Sequence, residues 1–326
     1  MAKMTMIQAL NLAMQQEMEK DDSVIVLGQD VGVDGGVFRA TDGLITQFGE
    51  ERVVDTPLAE SAIAGASIGM AVYGLKPVCE IQFSGFSYHT FHQIENHAAR
   101  LRWRSRGRYH VPMVLRTPYG GGVRALEHHS ESREAYWAHT PGLKMVIPSG
   151  PRNARALLVS AIRDPDPVIF YESKALYRSF REEVPEEEEV IPIGKSRIVR
   201  EGKDLTMISY GAMMRPTLEA ASVLKDKDGV EAEVIDLLTV SPLDDEFFVQ
   251  SVHKTGRAIV IHEAPRSFGP GAEIITRLME KAFYYLEVPI ARVTGYDVIT
   301  PLFSRENAYI PNANRILRSA KKVMAN

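Results

Sequence analysis

A single carboxylate stands at the head of an almost wholly apolar stretch. In Asp55-Thr56-Pro57-Leu58-Ala59-Glu60 the acid Glu60 precedes Ser61-Ala62-Ile63-Ala64-Gly65-Ala66-Ser67-Ile68-Gly69-Met70-Ala71, a helical run that holds no side chain able to neutralise it. Burial disfavours the charged form of a carboxyl group, so a Glu driven into such surroundings tends to hold a proton. A carboxyl group in that state can share or relay its proton with a ring nitrogen of a bound ligand. The alternative is a first-turn acid that caps its helix and faces water.

A second candidate is His128-His129-Ser130-Glu131-Ser132, ahead of a helix for which Ser130 or Ser132 is the N-cap. An imidazole there can give or take a proton near neutral pH; a plain surface-loop histidine is the competing reading. His89, His92 and His97, with Glu95 nearby, fall on one helical stretch, but no H-E-x-x-H pattern or cysteine pair accompanies them, so the ligand set for zinc is incomplete. Two glycine clusters, Gly32-Val33-Asp34-Gly35-Gly36 and Gly120-Gly121-Gly122, allow close backbone approach. Neither ends in the Lys-Ser/Thr of a phosphate loop, and neither is a G-x-G-x-x-G after a strand. The first reads as a surface turn. The second lies at a strand's C-terminal edge, where open α/β sheets place ligand loops. There is no G-x-S-x-G elbow, which argues against a serine hydrolase. Arg100, Arg102, Arg104, Arg106 and Arg108, interleaved with Trp103 and Tyr109, resemble a single-strand nucleic-acid groove. The net charge of −4 argues against that use and favours salt bridges to a partner subunit.

The elements that must position these groups alternate. Buried strands are predicted over 24–28, 78–81, 113–115, 145–148 and 168–171, with helices near 6–19 and 153–163 between them. The acidic, proline-bearing segment Arg181-Glu182-Glu183-Val184-Pro185-Glu186-Glu187-Glu188-Glu189 reads as a solvated linker. The pattern restarts with strands over 205–211, 232–236, 258–262 and 290–293 and helices over 215–227, 245–254 and 271–286. This alternation predicts two α/β domains with mostly parallel sheets, one over 1–185 and a smaller one over 204–326, joined by 186–203.

The 326 residues suffice for two domains, and 45% hydrophobic with 25% charged residues is a soluble globular balance. The lone cysteine, Cys79, permits no internal disulfide and fits a reducing compartment. No apolar stretch reaches the length of a membrane span, and the first residues lack the apolar core of a secretory signal. A cytoplasmic protein with no nucleic-acid or membrane partner is the expectation.

Several stretches, in order, are similar to one family. They are Gly28-Gln29-Asp30-Val31-Gly32, Gly35-Gly36-Val37-Phe38-Arg39, Asp55 to Ser61, Glu80-Ile81-Gln82-Phe83, His129-Ser130, Pro141-Gly142-Leu143-Lys144 and Lys254-Thr255-Gly256-Arg257. From about Met4 to the C-terminus the chain resembles the beta subunit of the decarboxylating component of 2-oxo acid dehydrogenase complexes. The resemblance implies a pyrimidine-type thiamine-diphosphate-binding domain followed by a transketolase C-terminal-like domain. It implies a heterotetramer of two alpha and two beta chains, in which the alpha chain holds the cofactor's diphosphate through magnesium. It further implies an acyltransferase core bound through its peripheral binding and lipoyl domains.

Glu60 matches the glutamate that hydrogen-bonds the pyrimidine ring nitrogen. That contact readies the thiazolium carbon to attack a 2-oxo acid, with loss of carbon dioxide and passage of the acyl group to a lipoyl group. Leu58, Gln82 and Phe86 match residues packed around the same ring, and Phe86 stands where relatives often have tyrosine. His129 matches a histidine facing the reacting carbon and implicated in reductive acylation of the lipoyl group. Met113, Ala161, Ile162, Asp164 and Asp166 match a structural potassium site of some relatives. Gln29 departs from the more frequent glutamate, which would alter an acidic proton path between active sites. Competing readings are a transketolase-like or 1-deoxyxylulose-phosphate-synthase-like half-protein and a non-catalytic scaffold. For the substrate, His262-Glu263-Ala264-Pro265 and Arg292-Val293-Thr294-Gly295-Tyr296-Asp297 look more like branched-chain members, whereas Ile81-Gln82-Phe83-Ser84-Gly85-Phe86 looks like some bacterial pyruvate members. The lean is toward branched-chain 2-oxo acids.

Overall fold

The computed structural model describes residues 2–325. Met1 and Asn326, the outer bounds of the two expected domains, lie outside the described residues. Contacts divide the chain into two units: residues 2–119 with 136–193, and residues 120–135 with 194–325.

In the first unit, strands pair in parallel in the order Lys144–Val146, Val168–Ser173, Val114–Tyr119, Lys76–Glu80, Val24–Gly28 and Val53–Asp55. Val24–Gly28 and Val114–Tyr119 are buried at every position, as expected of strands covered on both faces. Helix Met6–Lys20 opens with a capping box in which Thr5 and Gln8 satisfy each other's end groups. It packs against Pro151–Arg163. The acidic segment is not a free linker. Glu182–Val184 pairs antiparallel with Ala2–Met4. Beyond it, Glu188 bridges Lys20 and Arg163, and Glu189 bridges Arg152. The charges that suggested solvation are used to hold this unit's first strand and helices together.

The second unit has a five-stranded sheet in the order Ala291–Val293, Ala258–Ile261, Leu205–Ser209, Ala232–Asp236 and Arg197–Arg200. Only Arg197–Arg200 runs antiparallel to its neighbour, and it lies inside the stretch expected to be linker. Helices Met214–Asp228, Asp245–Thr255, Pro270–Ala282 and Ala313–Met324 alternate with the strands. The α/β reading holds for both units. Among the described residues no helix is long and apolar enough to cross a membrane.

Candidate active site

Strand order decides which loops meet. Val24–Gly28 lies between Val53–Asp55 and Lys76–Glu80, and all three run parallel. Their carboxyl ends therefore deliver Gln29 and Asp30, Leu58 and Glu60, and Gln82 and Phe86 to one sheet edge. That edge is the usual ligand position of open α/β sheets.

Glu60 is the first residue of helix Glu60–Val72. The N-cap position belongs to Ala59, and no side chain caps this end. Glu60 is half-buried and lines a hollow of about 580 Å³ with Ala59, Ser61, Ala62, Gly65, Ala66, His89 and Gln93. Glycine, alanine and serine walls leave the backbone approachable by a flat ring. Leu58 is 70% exposed, and Phe86 is half-buried beside Phe83, with ring centroids 5.8 Å apart. The Gln82 amide donates to Asp30 Oδ2 at 2.9 Å and to the Gln29 carbonyl at 3.4 Å. Gln29 thus contributes its backbone to this contact.

The histidine helix is broken into a 3₁₀ turn, Ser87–Thr90, a short α segment, Phe91–Gln93, a π segment, Ile94–Ala98, and a last α turn, Ala99–Arg104. His89 faces the hollow, while the His92 and His97 rings meet edge to face at 5.4 Å. No cluster of three ligands for a metal ion exists among the described residues. Part of the arginine run is engaged within its own unit, Arg100 by Glu95 and Arg102 by Asp166.

Both glycine clusters hold carboxylates of the chain itself. Gly32 and Val33 donate their N–H groups to the two Asp55 oxygens at 2.6 and 3.0 Å. In the second unit Gly121 donates to Glu263, and Gly122 and Arg124 donate to the two oxygens of Glu306 at 3.0 Å each. Consecutive N–H groups of this kind form an anion nest. Here the anions are internal, so neither cluster is left for a phosphate. His129, half-buried, sits in the short helix Glu127–Ser130, its ring 4.2 Å from that of His128. It belongs to the second unit, as do Glu134 and Tyr210, whose hydroxyl donates to Glu134 at 2.6 Å. Burial, with Glu263 nearby, pushes the Glu134 carboxyl up to about 7.

Sequence reasoning missed a buried ionic cluster in the first unit. Arg116 donates to both Glu172 oxygens at 2.7 and 2.8 Å and also to Glu80, while the Tyr177 hydroxyl donates to Glu172 at 2.6 Å. Burial pushes Glu80 and Tyr177 upward. The available signal was Glu80, Arg116 and Glu172, each adjoining or set into a largely apolar strand run.

The potassium expectation meets a different arrangement. Lys144 donates to both Asp164 oxygens at 2.7 Å, and Arg102 donates to both Asp166 oxygens at 2.8 and 2.7 Å. The carbonyls of Met113 and Ala161 accept from Val168 and Asp164. Two side-chain cations already neutralise these carboxylates, so the donor set does not fit an added ion. By contrast, the residues of the Glu60 edge could hold the aminopyrimidine end of thiamine diphosphate, the cofactor that the resemblance implies. It offers a half-buried carboxylate, an aromatic and an amide on neighbouring loops. The two glycine clusters already hold Asp55, Glu263 and Glu306, so neither of them is free for the diphosphate end.

Comparison with known proteins finds likeness over nearly the whole chain. The model described as "Transketolase, pyrimidine binding domain" matches residues 2–179, and "Transketolase, C-terminal domain" matches residues 194–316. The Staphylococcus epidermidis protein named pyruvate dehydrogenase E1 component subunit beta is 52% identical over 324 residues, covering 99% of each chain. A protein of the same name from Acholeplasma laidlawii is 50% identical over 323 residues, covering 99% of this chain and 98% of its own. A solved structure described as a split gene transketolase, inactive beta4 tetramer, aligns with a TM-score of 0.82 over 99% of each chain. At 21% identity it speaks for the fold alone.

Proposed function

Because the chain belongs to the family of beta subunits of the thiamine-diphosphate-dependent E1 component of 2-oxo acid dehydrogenases, we propose that it supplies the aminopyrimidine half of that active site. On this reading it acts with an alpha subunit in a tetramer of two alpha and two beta chains. The carrying observation is the placement of Glu60, at the open end of a small-residue helix, on the sheet edge it shares with Gln82 and Phe86. When bound, thiamine diphosphate supplies the electron sink for decarboxylation of the 2-oxo acid.

The chain's own groups have separate tasks. Glu60 holds a proton at the pyrimidine ring nitrogen. Leu58 and Phe86 pack the ring, and Gln82 is fixed by Asp30 for a polar contact to it. His129 exchanges a proton as the acyl group passes to the lipoyl group of the acyltransferase. The alpha chain provides the diphosphate and magnesium sites.

Pyruvate is the proposed substrate. The relatives at 50–52% identity carry that substrate in their names, which replaces the lean toward branched-chain acids drawn from two short stretches of the second domain. The test is reconstitution with the alpha partner, thiamine diphosphate and magnesium, comparing pyruvate with 2-oxoisovalerate. Pyruvate should give the higher kcat/KM. Glu60→Gln should lower decarboxylation by about 10²–10⁴-fold, the usual worth of a positioned proton-transfer group. Full activity of that variant would sink the assignment.

A further inference from the structure

Residues 120–135 are tied to the second unit by carboxylates far away in sequence. Glu306 is 1% exposed and Glu263 is 5% exposed. Glu306 accepts from the N–H groups of Gly122 and Arg124, and Glu263 accepts from that of Gly121. The Gly120 N–H reaches the Glu131 carbonyl at 3.0 Å, which closes the loop two residues beyond His129. At Gly120 and Gly121 an added side chain would press on the groups that hold the neck. A Cβ on Gly121 would lie 2.8 Å from Glu306 Oε1 and 2.7 Å from Ile310 Cδ1. One on Gly120, whose φ is +77°, would lie 3.1 Å from both Glu263 oxygens.

Burying two carboxylates carries a desolvation cost that apolar packing would avoid. What charge-assisted bonds to backbone N–H groups add is direction, because each fixes one amide to one oxygen. Precise support of this kind separates a working site from one that is merely present.

We propose that Glu306 and Glu263 are positioning residues for His129, acting through the backbone of Gly121, Gly122 and Arg124 to set the loop that carries the imidazole. The proposal rests on the acyl-transfer reading of His129. It predicts that loosening the neck impairs delivery of the acyl group to the lipoyl acceptor more than it impairs decarboxylation.

The experiment uses the reconstituted heterotetramer with Glu306→Gln, and with Gly121→Ala as a second variant that disturbs the same neck from the loop side. Gln keeps the shape of Glu306 but turns an NH₂ toward a backbone N–H, so one bond is lost. Amide hydrogen exchange across residues 120–131 should quicken by about tenfold or more, matching loss of one buried charged hydrogen bond. Lipoyl acylation kcat should fall about tenfold, while dye-coupled decarboxylation and the KM for the 2-oxo acid stay within about twofold. Unchanged acylation in both variants, or lost acylation without faster exchange in this segment, overturns the proposal. His129→Ala separates the two claims. If it loses acylation while the neck variants keep it, positioning alone fails. If it acylates at the parent rate, the reading of His129 fails and the positioning claim falls with it.

Discussion

Two buried acid–base groups of the second unit oppose each other as pH changes. Glu134 is raised from 4.5 to about 7, first by burial and then by the nearby Glu263 charge, against the hydrogen bond from Tyr210. Between those values the folded chain keeps a proton that the unfolded chain has released, so this group lowers stability as pH rises through the window. His262 is lowered from 6.5 to about 3 by burial, with Arg292 and Arg266 adding to it. Below its unfolded value the unfolded chain takes up the proton first, so stability falls as pH drops. The two slopes overlap between the unfolded Glu and His values and oppose each other there. Glu134→Gln keeps the acceptor for Tyr210 but removes one slope. The variant should therefore lose on the order of 2 kcal/mol on acidification from about pH 6.5 to 4.5, where the parent changes less. Urea midpoints at several pH values read this directly, and identical pH profiles for parent and variant would refute it.

At the scale of elements, steric and ionic fits can be tested one at a time. Gly142, with φ +94°, faces the Ala99 carbonyl so closely that a Cβ would lie 2.2 Å from it. Gly142→Ala should destabilise the first unit by about 2 kcal/mol or more, seen as a lower melting temperature. Glu172→Ala would leave the Arg116 guanidinium without its principal partner in the core and should cost about 3–5 kcal/mol. Equal melting temperatures for parent and variant would show that the cluster contributes nothing. These elements also show what the sequence could disclose. Val24–Gly28 was legible to the residue as a continuous apolar run ending in glycine, and Ala232–Asp236 was legible to the residue although Glu233 and Asp236 interrupt its apolar positions. The start of the helix at Glu60 was legible because its charge contrasts with the apolar run that follows. The segment 181–189 is mostly exposed, as expected, but charge composition could not say that Glu188 and Glu189 would also pair with Lys20, Arg152 and Arg163. The same limit hid Lys144 and Arg102 at the expected potassium carboxylates, and it hid Glu263 and Glu306 beneath the triple glycine. Each of those pairings spans tens of residues or more and is set by tertiary packing rather than local pattern.

For the molecule as a whole, the division of labour predicts dependence. Calorimetry should find thiamine diphosphate binding to this chain alone at least about a hundredfold weaker than to the reconstituted tetramer, a loss of roughly 2.7 kcal/mol or more. Comparable affinities would mean that a diphosphate site exists in this chain. The chain order carries one more consequence. Residues 120–135 are threaded between segments of the first unit, yet they pack with the second. A cut at the border after residue 193 would not release two independent modules. The N-terminal fragment would keep a triple glycine stripped of its counter-charges. The C-terminal fragment would lose the N–H groups of Gly121, Gly122 and Arg124 that donate to Glu263 and Glu306, and the Glu134 carboxyl that accepts from Tyr210. Any split or fusion of this chain therefore has to keep residues 120–135 joined both to the segments they connect and to the second unit they pack with.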